Sequence, residues 1–254
     1  MTPMARRRFF VPEIRRGTAE LTGHDAEHLV RVLRAEPGQV YELSDNRNLY
    51  LAEIEVARKS LVSFRVLEKM DTPVPRVHLS LLAALIKFER FEWLVEKATE
   101  LGVSVIQPIE TVRTERGLTQ AALNRRARWE KIAIEASQQS RRAQLPCLEP
   151  PLHLAKSLQT DANVRLLLDE SLAARPILDC LPVERSPADR VALLVGPEGG
   201  WTDEERDQAV GAGWLSCSLG RAILRAETAA VAGLAVIQAA WAQPLPGPGL
   251  RPPE

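Results

Sequence analysis

From residue 77 onward, the sequence alternates strand-like apolar runs with segments of helical periodicity. Strands are predicted over residues 77–86, 103–109, 164–168, 191–195 and 215–219. Helices are predicted over residues 88–101 and 118–140, and from Thr202 and about Glu227 onward. Strands that alternate with helices are typical of an α/β domain with a mostly parallel sheet. The long apolar run at residues 77–86 suits a strand buried on both faces.

The first 70 residues follow a different pattern. Short β-like runs at residues 39–43, 49–54 and 61–67 are broken by turn signals, and one short helix is predicted near residues 24–34. Residues 71–75, which contain two prolines, look like a linker. We therefore predict a small β-rich domain over residues 1–72, an α/β domain over residues 73–243 and a disordered Pro- and Gly-rich tail over residues 244–254.

Composition excludes several classes of protein. No apolar stretch approaches the ~20 residues that a membrane-spanning helix requires, and no signal-peptide pattern opens the chain. The three cysteines are far apart and odd in number, which argues against a disulfide framework or a Cys-based zinc site. We therefore expect a cytoplasmic protein with no membrane association.

Charge is unevenly distributed although the formal net charge is zero. Residues 1–150 carry a net +4 and residues 151–254 a net −4, and the positive surplus comes from arginine clusters. Arginine suits phosphate recognition, which dominates affinity for nucleic acids. The alternative is a set of solvated helix faces, and charge alone does not decide between the two.

The most informative segment is Gly196-Pro197-Glu198-Gly199-Gly200-Trp201-Thr202, where a predicted buried strand runs into a glycine-dense loop that opens onto a helix. Ligands of α/β sheets collect at the carboxyl ends of strands, so we expect a pocket here. The loop matches neither G-x-G-x-x-G nor the P-loop. The helix begins Thr202-Asp203-Glu204-Glu205, a predicted capping box whose carboxylates would repel phosphate. A neutral or cationic ligand fits better than a phosphate; the alternative is a simple glycine-rich turn.

A second segment, Ser218-Leu219-Gly220-Arg221-Ala222-Ile223-Leu224-Arg225-Ala226-Glu227-Thr228, repeats the arrangement of strand, glycine, loop and helix. Arg225 and Glu227 lie at the start of the predicted helix. The alternative interpretation is a well-packed C-terminal helix with a local Arg–Glu pair.

These two segments, taken with three others, resemble the small-subunit (16S) ribosomal RNA uridine N3-methyltransferases. The other three are Lys97-Ala98-Thr99-Glu100-Leu101-Gly102-Val103, Glu135-Ala136-Ser137-Gln138-Gln139-Ser140-Arg141-Arg142 and the N-terminal Arg8-Phe9-Phe10-Val11. That family belongs to the SPOUT, or α/β-knot, superfamily. The resemblance covers nearly the whole chain except the proline-rich tail. It implies a trefoil-knotted C-terminal methyltransferase domain, an N-terminal PUA-like β-barrel that helps to bind RNA, and a homodimer. Small-subunit ribosomal RNA or the assembled 30S subunit would be the partner.

The resemblance also implies site residues. S-adenosylmethionine would be held mainly by backbone groups of the two loops, with Leu168 and Val195 as walls. The cofactor-binding candidates are Leu168, Val195, Gly196, Pro197, Gly199, Gly200, Leu219, Gly220, Ile223, Leu224 and Thr228. The RNA-binding candidates are Arg7, Arg8, Arg31, Arg34, Arg141 and Arg142.

For catalysis, uracil N3 must lose a proton as it attacks the methyl carbon, so a base and a cation near the uracil oxygen would both help. We hypothesise that Arg225 stabilises the oxygen and that Glu198 or Glu227 accepts or orients the proton; the alternative is a purely structural role for the carboxylates. One departure stands out, because the family pattern Leu-Gly-x-Arg-Ile-Leu-Arg has Arg where this chain has Ala222. Arg221 lies one position earlier and is assigned no catalytic role.

His24-Asp25-Ala26-Glu27-His28 spells H-x-x-E-H, a zinc-protease pattern, but it lies in a short helix without an evident third ligand, so we predict no metal site. The alternatives to uridine N3 methylation are a SPOUT methyltransferase for another ribosomal or transfer RNA base and a non-catalytic RNA-binding ribosome-assembly factor. An intact glycine loop together with Arg225 favours an enzyme.

Overall fold

The computed structural model describes residues 7–171 and 173–242. These divide into two compact units. The predicted tail at residues 244–254 lies outside the described residues. The first unit comprises the residues up to Val74 together with Ile134–Leu145, and the second comprises Pro75–Ala133 and the residues from Pro146 onward. The sequence predicts a boundary at residue 72 and places residues 134–145 wholly in the α/β domain. Instead, this segment makes its contacts with the β-rich unit.

The first unit is built on a six-stranded sheet in the order β1-β4-β5-β6-β3-β2. Its elements are β1 (Arg8–Phe10), β2 (Ile14–Arg15), β3 (Thr18–Thr22), α1 (Gly23–Arg31), β4 (Val40–Ser44), β5 (Leu49–Arg58) and β6 (Leu61–Met70). All pairs are antiparallel except β1 with β4. The core includes Leu29 of α1 and Phe64 of β6, both fully buried. Phe64 reaches it because alternate strand residues face one side of the sheet.

The second unit contains an eight-stranded sheet in which every pairing is parallel. Its strands are β7 (His78–Ala84), β8 (Val105–Glu110), β9 (Cys147–Leu148), β10 (Leu152–His153), β11 (Val164–Leu168), β12 (Arg175–Pro176), β13 (Arg190–Val195) and β14 (Leu215–Ser218). The order is β10-β8-β7-β13-β11-β14-β12, with β9 beside β8. The α/β prediction is confirmed. The trefoil path of the chain stays a prediction.

The helices of the second unit lie between these strands along the chain, except α8, which follows the last strand. They are α2 (Phe88–Glu100), α3 (Leu118–Leu123), the first part of α4 (Arg126–Gln139), α5 (Leu154–Ser157), α6 (Ile177–Cys180), α7 (Asp203–Gly211) and α8 (Ala226–Ala242). Among the described residues, no helix is both long and apolar enough to cross a membrane. The sheet buries β13 deeply, since every residue from Val191 to Val195 is at most 2% exposed.

The prediction of one helix over residues 118–140 was wrong. The chain forms a tight turn at Asn124 and Arg125, whose amides donate to the carbonyls three residues earlier at 3.2 and 2.9 Å. Asn favours helix ends because its short polar side chain competes with the backbone. Restarting the helix places Trp129 against Phe91, with ring centroids 4.7 Å apart, and the Arg125 guanidinium 4.8 Å from the centre of the Phe88 ring.

Candidate active site

A cavity of about 350 Å³ opens at the carboxyl ends of β11, β13 and β14. Parallel strands end at a common edge of their sheet, and the loops that follow them form the crevice. The cavity is lined by Arg90, Leu168, Asp169, Glu170, Val195, Gly196, Pro197, Glu198, Gly200, Trp201, Cys217, Ser218, Leu219, Gly220, Ala222, Ile223, Leu224, Arg225, Ala226 and Ala229. Its volume lies in the range of small-molecule sites, roughly 300–1,000 Å³.

Loop 196–200 follows β13 and is packed closely against its surroundings. A Cβ at Gly196 would lie 2.9 Å from Cε2 of Trp201, so this position requires glycine. Trp201 is 3% exposed and donates from Nε1 to the carbonyl of Leu168 at 2.8 Å. The indole therefore joins the start of this loop to the end of β11.

The far end of loop 196–200 also depends on glycine. The Arg113 guanidinium donates to the carbonyl of Gly199, and a Cβ at Gly199 would lie 3.1 Å from Cδ of the same arginine. Gly200 has φ +72°, in the left-handed region, and a Cβ there would meet a carboxylate oxygen of Glu170 at 2.6 Å. Arg113 and Glu170 thus flank the backbone of the loop.

The helix that follows begins with the predicted capping box. Oγ1 of Thr202 accepts from the Glu205 amide at 3.2 Å, and Oε2 of Glu205 accepts from the Thr202 amide at 3.0 Å. Glu205 is buried and also accepts from the amide of Val112 at 2.8 Å. Asp203 and Glu204 lie in the same turn, so carboxylates already compensate the positive end of the helix dipole. This disfavours a phosphate ligand.

Loop 219–225 follows β14 and, unlike loop 196–200, consists mainly of exposed side chains. Every side chain from Arg221 to Arg225 is exposed, including Ile223 at 84% and Leu224 at 38%. Gly220 has φ +122° and its amide donates to Oγ of Ser218 at 3.1 Å. Both apolar side chains line the cavity, so they are available to cover an apolar part of a ligand.

Charged groups of both signs gather around the cavity. Arg90 donates from Nη1 to Oε1 of Glu198 at 3.0 Å, and its Nε lies 3.8 Å from Oε1 of Glu227. Asp169, 8% exposed, accepts from Nε of Arg206 at 3.1 Å and from Oγ of Ser216 at 3.1 Å.

A further lining group is the thiol of Cys217. Burial raises the pKa of the Cys217 thiol to about 12, so this side chain is neutral at physiological pH. It therefore adds apolar lining to the cavity rather than charge.

The structure brings most of the candidate site residues into one cavity. Eleven of the fourteen catalytic and cofactor-binding candidates line it: Leu168, Val195, Gly196, Pro197, Glu198, Gly200, Leu219, Gly220, Ile223, Leu224 and Arg225. Gly199, Glu227 and Thr228 do not, although Glu227 lies behind Arg90 and Gly199 belongs to the same loop.

Sequence reasoning missed other lining residues. Asp169 and Glu170 directly follow the carboxyl end of β11, so the rule that ligands collect there could have found them. Arg90 and Trp201 gave no such signal. Ala222 lines the cavity at the position where the family pattern has arginine, whereas Arg221 does not line it.

The arginine candidates for RNA binding lie in the first unit and have different surroundings. Arg8 is 6% exposed and pairs with Glu42 at 2.8 Å, and Arg141 pairs with the other oxygen of Glu42 at 2.6 Å. Arg142 is half-buried, donates to the carbonyl of Gln144 at 3.0 Å, and has its pKa lowered to about 10 by burial. Arg7, Arg31 and Arg34 are exposed, and Arg31 pairs with Glu27 at 2.6 Å.

The H-x-x-E-H segment lies in α1 at residues 24–28. Its Glu27 carboxylate faces Arg31 and, at 3.9 Å, Lys59, while His28 is exposed. The side chain of His24 lies outside the described residues. Among the side chains that are described, no group of three or more His, Cys, Asp or Glu is placed to hold a metal ion.

Comparison with known proteins matches both parts of the chain. A model described as an RNA methyltransferase domain covers residues 72–238, and one described as an RNA methyltransferase PUA domain covers residues 21–67. A Synechocystis sp. protein named ribosomal RNA small subunit methyltransferase E is 33% identical over 93% of this chain and 78% of its own length. The protein of the same name from Bacillus subtilis is 30% identical over 87% and 89%.

Comparison with solved structures supports the same family. The ribosomal RNA small subunit methyltransferase E of Neisseria gonorrhoeae, bound to S-adenosyl methionine, matches with a TM-score of 0.83 and 30% identity over 93% of this chain and 98% of that one. A Legionella pneumophila protein in complex with SAM matches with a TM-score of 0.84 and 31% identity over the same shares. The resemblance inferred from the motifs is thereby confirmed, and the chain belongs to the RNA methyltransferase family whose relatives are named ribosomal RNA small subunit methyltransferase E.

Proposed function

We propose that this protein transfers a methyl group from S-adenosylmethionine to N3 of a uridine in small-subunit ribosomal RNA, as a homodimer in the bacterial cytoplasm. The observation that carries the proposal is the cavity between loops 196–200 and 219–225, at the carboxyl ends of three parallel strands. Family membership supports the reaction class, and the cofactor seen in the related structures supports the methyl donor.

The residues of the cavity fit S-adenosylmethionine. Leu168, Val195 and Leu219 offer an apolar wall for the adenosine, and the backbone of loop 196–200 can approach a ligand closely because glycines build it. The sulfonium and the ammonium group of this ligand are cationic, and carboxylates of Asp169, Glu170 and Glu198 line the same space. The capped and acidic start of α7 disfavours a phosphate-bearing ligand such as a dinucleotide.

S-adenosylmethionine supplies, when bound, an electrophilic methyl carbon. The protein must remove the N3 proton of uracil and stabilise the negative charge that develops on the carbonyl oxygens beside N3. Arg225 is exposed at the cavity and presents a guanidinium for one of these oxygens. Glu198, which lines the cavity and is exposed, is the candidate that accepts the proton; Glu227 is 8% exposed and lies beside Arg90.

RNA would be held by the arginines of the first unit that are free to meet phosphate. Arg7 and Arg34 are exposed, and Arg31 shares an exposed ion pair that RNA phosphate can replace at small cost. Arg8 and Arg141 form ion pairs with Glu42, so we assign them to supporting the RNA-binding surface of this unit. The match to a PUA domain at residues 21–67 supports the assignment of RNA binding to this unit.

The proposed function is tested by mass mapping of methylated nucleosides in ribosomal RNA from cells that lack this protein. We expect 3-methyluridine to disappear from the small-subunit RNA and to return when the wild-type protein, but not Arg225→Ala, is expressed. Unchanged 3-methyluridine with loss of a different methylated nucleoside would reassign the base. No change in any methylated nucleoside would favour a non-catalytic assembly factor.

A further inference from the structure

Arg90 is the cationic side chain that contacts both candidate carboxylates. Its Nη1 donates to Oε1 of Glu198 at 3.0 Å, while its Nε lies 3.8 Å from Oε1 of Glu227. The three residues come from the first turn of α2, from loop 196–200 and from the first turn of α8. One guanidinium therefore joins three segments that meet at the cavity.

The environment of Glu227 shows why a cation is needed at this point. The Glu227 side chain is 11% exposed, and its Oε2 is buried without a hydrogen-bond partner among the described residues. A buried carboxylate without a nearby positive charge is strongly disfavoured. Nε of Arg90 lies 3.8 Å from Oε1 of Glu227 and supplies the compensating charge, which stabilises the carboxylate in its buried position.

The environment of Glu198 is different. Its side chain is 40% exposed and lies in a glycine-rich loop, so few contacts restrict its rotamers. A charge-assisted hydrogen bond is roughly twice as strong as a neutral one and fixes direction as well as distance. The bond from Arg90 therefore holds the Glu198 carboxylate at the rim of the cavity.

The geometry uses the shape of a guanidinium. Two different nitrogens, Nη1 and Nε, face the two carboxylates. The ammonium of lysine is a single compact charge on a flexible stem, so it cannot keep both carboxylates in the same arrangement. Lysine at position 90 would preserve the charge but not the orientation.

We propose that Arg90 is a positioning residue for methyl transfer, which orients Glu198 toward the reacting base and neutralises Glu227 behind it. This inference rests on the proposed function. It assigns a role to α2, an element that contributes none of the residues in the two glycine-bearing segments.

The test compares Arg90→Met, Arg90→Lys and Glu198→Gln in single-turnover methylation of small-subunit RNA from cells that lack the protein, with S-adenosylmethionine affinity measured by calorimetry. Arg90→Met should lower the rate about 100-fold, at the lower end of general acid–base contributions, while the dissociation constant changes less than about threefold. Arg90→Lys should recover only part of the loss, to about tenfold below the wild type.

Coupling to Glu198 separates positioning from general structural damage. If Arg90 acts through Glu198, then Arg90→Met in the Glu198→Gln background should lower the rate less than about twofold further, because residues that act as a unit are non-additive. The matched control is Arg190→Met, which removes an ion pair with Asp161 at the opposite end of β13 and should leave the rate unchanged.

Wild-type rates in Arg90→Met, or equal losses in the wild-type and Glu198→Gln backgrounds, would overturn the inference. If Arg90→Met does not fold, Arg90→Lys decides: a rate equal to that of the wild type would show that charge alone suffices. A wild-type protein that neither methylates the RNA nor binds the donor would instead refute the proposed function.

Discussion

The two loops at the cavity have the same position in the fold but different construction. Loop 196–200 is packed at each of its glycines, with Gly196 against Trp201, Gly199 against Arg113 and Gly200 against Glu170. Loop 219–225 presents five consecutive exposed side chains, from Arg221 to Arg225. The first loop therefore presents a preformed backbone to the cavity, whereas the second presents side chains.

The difference follows from local sequence. Loop 196–200 holds three glycines in five residues, and small residues allow neighbouring side chains to pack onto the backbone. Loop 219–225 has one glycine followed by arginines and large apolar residues. We expect changes in the first loop to alter stability and ligand affinity together, and changes in the second to alter turnover or affinity with the fold intact.

The largest effect is expected in the second loop, from Arg225→Ala. Turnover should fall about 100-fold because a donor to developing negative charge is removed, while affinity for S-adenosylmethionine should change less than about threefold. Arg221→Ala is the control, since Arg221 is exposed but does not line the cavity, and it should keep wild-type turnover. Steady-state kinetics of both variants decide. Wild-type turnover in Arg225→Ala together with a loss of turnover in Arg221→Ala would assign the role to Arg221 instead.

The first loop is tested by Gly196→Ala. The added methyl would lie 2.9 Å from the buried Trp201 ring, so we expect about 1–3 kcal/mol of lost stability together with about tenfold weaker donor binding. Gly211→Ala is the matched control, because no atom lies within 4 Å of the added Cβ at the end of α7. Urea denaturation and calorimetry measure the two effects, and a change in affinity without loss of stability would contradict the packed-loop description.

A smaller loss is expected from Trp201→Phe. This change deletes the 2.8 Å hydrogen bond to the Leu168 carbonyl and leaves that acceptor buried, at a cost of about 1–2 kcal/mol. Trp93→Phe, at a position 43% exposed on α2, should change stability by less than about 0.5 kcal/mol. Equal thermal denaturation midpoints for the two variants would show that the indole bond does not stabilise the first loop.

The smallest effect is expected from Ile223→Ala in the second loop. Because Ile223 is 84% exposed, stability should change by less than about 0.5 kcal/mol. Donor binding should weaken about fivefold, since roughly 1 kcal/mol of apolar contact is lost in the complex. Calorimetry on the folded variant measures this, and unchanged affinity would remove Ile223 from the cofactor-binding candidates.

Much of the fold was predictable, because long apolar runs carry a clear period. The strand predicted at residues 164–168 is β11, with the same bounds, and the helix predicted at residues 88–101 ends one residue earlier. The five-residue strand β3 was missed although its buried and exposed residues alternate. The strands β1, β2, β9, β10 and β12 were missed as well, and each of these has only two or three residues, which is too short to show a period of two.

The site was predictable where its residues are neighbours in sequence. Both glycine-bearing loops were identified because strand, loop and helix follow one another directly. Arg90 was not identified, since it lies 108 positions before Glu198 and only folding brings the two together. The burial of Arg8 could not be inferred either, because its partner Glu42 belongs to another strand, 34 positions away.

The most direct measurement is a crystal structure of the protein soaked with S-adenosylmethionine. We predict the donor in the cavity, with its adenosine beside Leu168 and Val195 and with backbone contacts from both loops. A donor lodged elsewhere, or a cavity left empty at saturating concentration, would contradict the assignment of this cavity as the methyl-donor site.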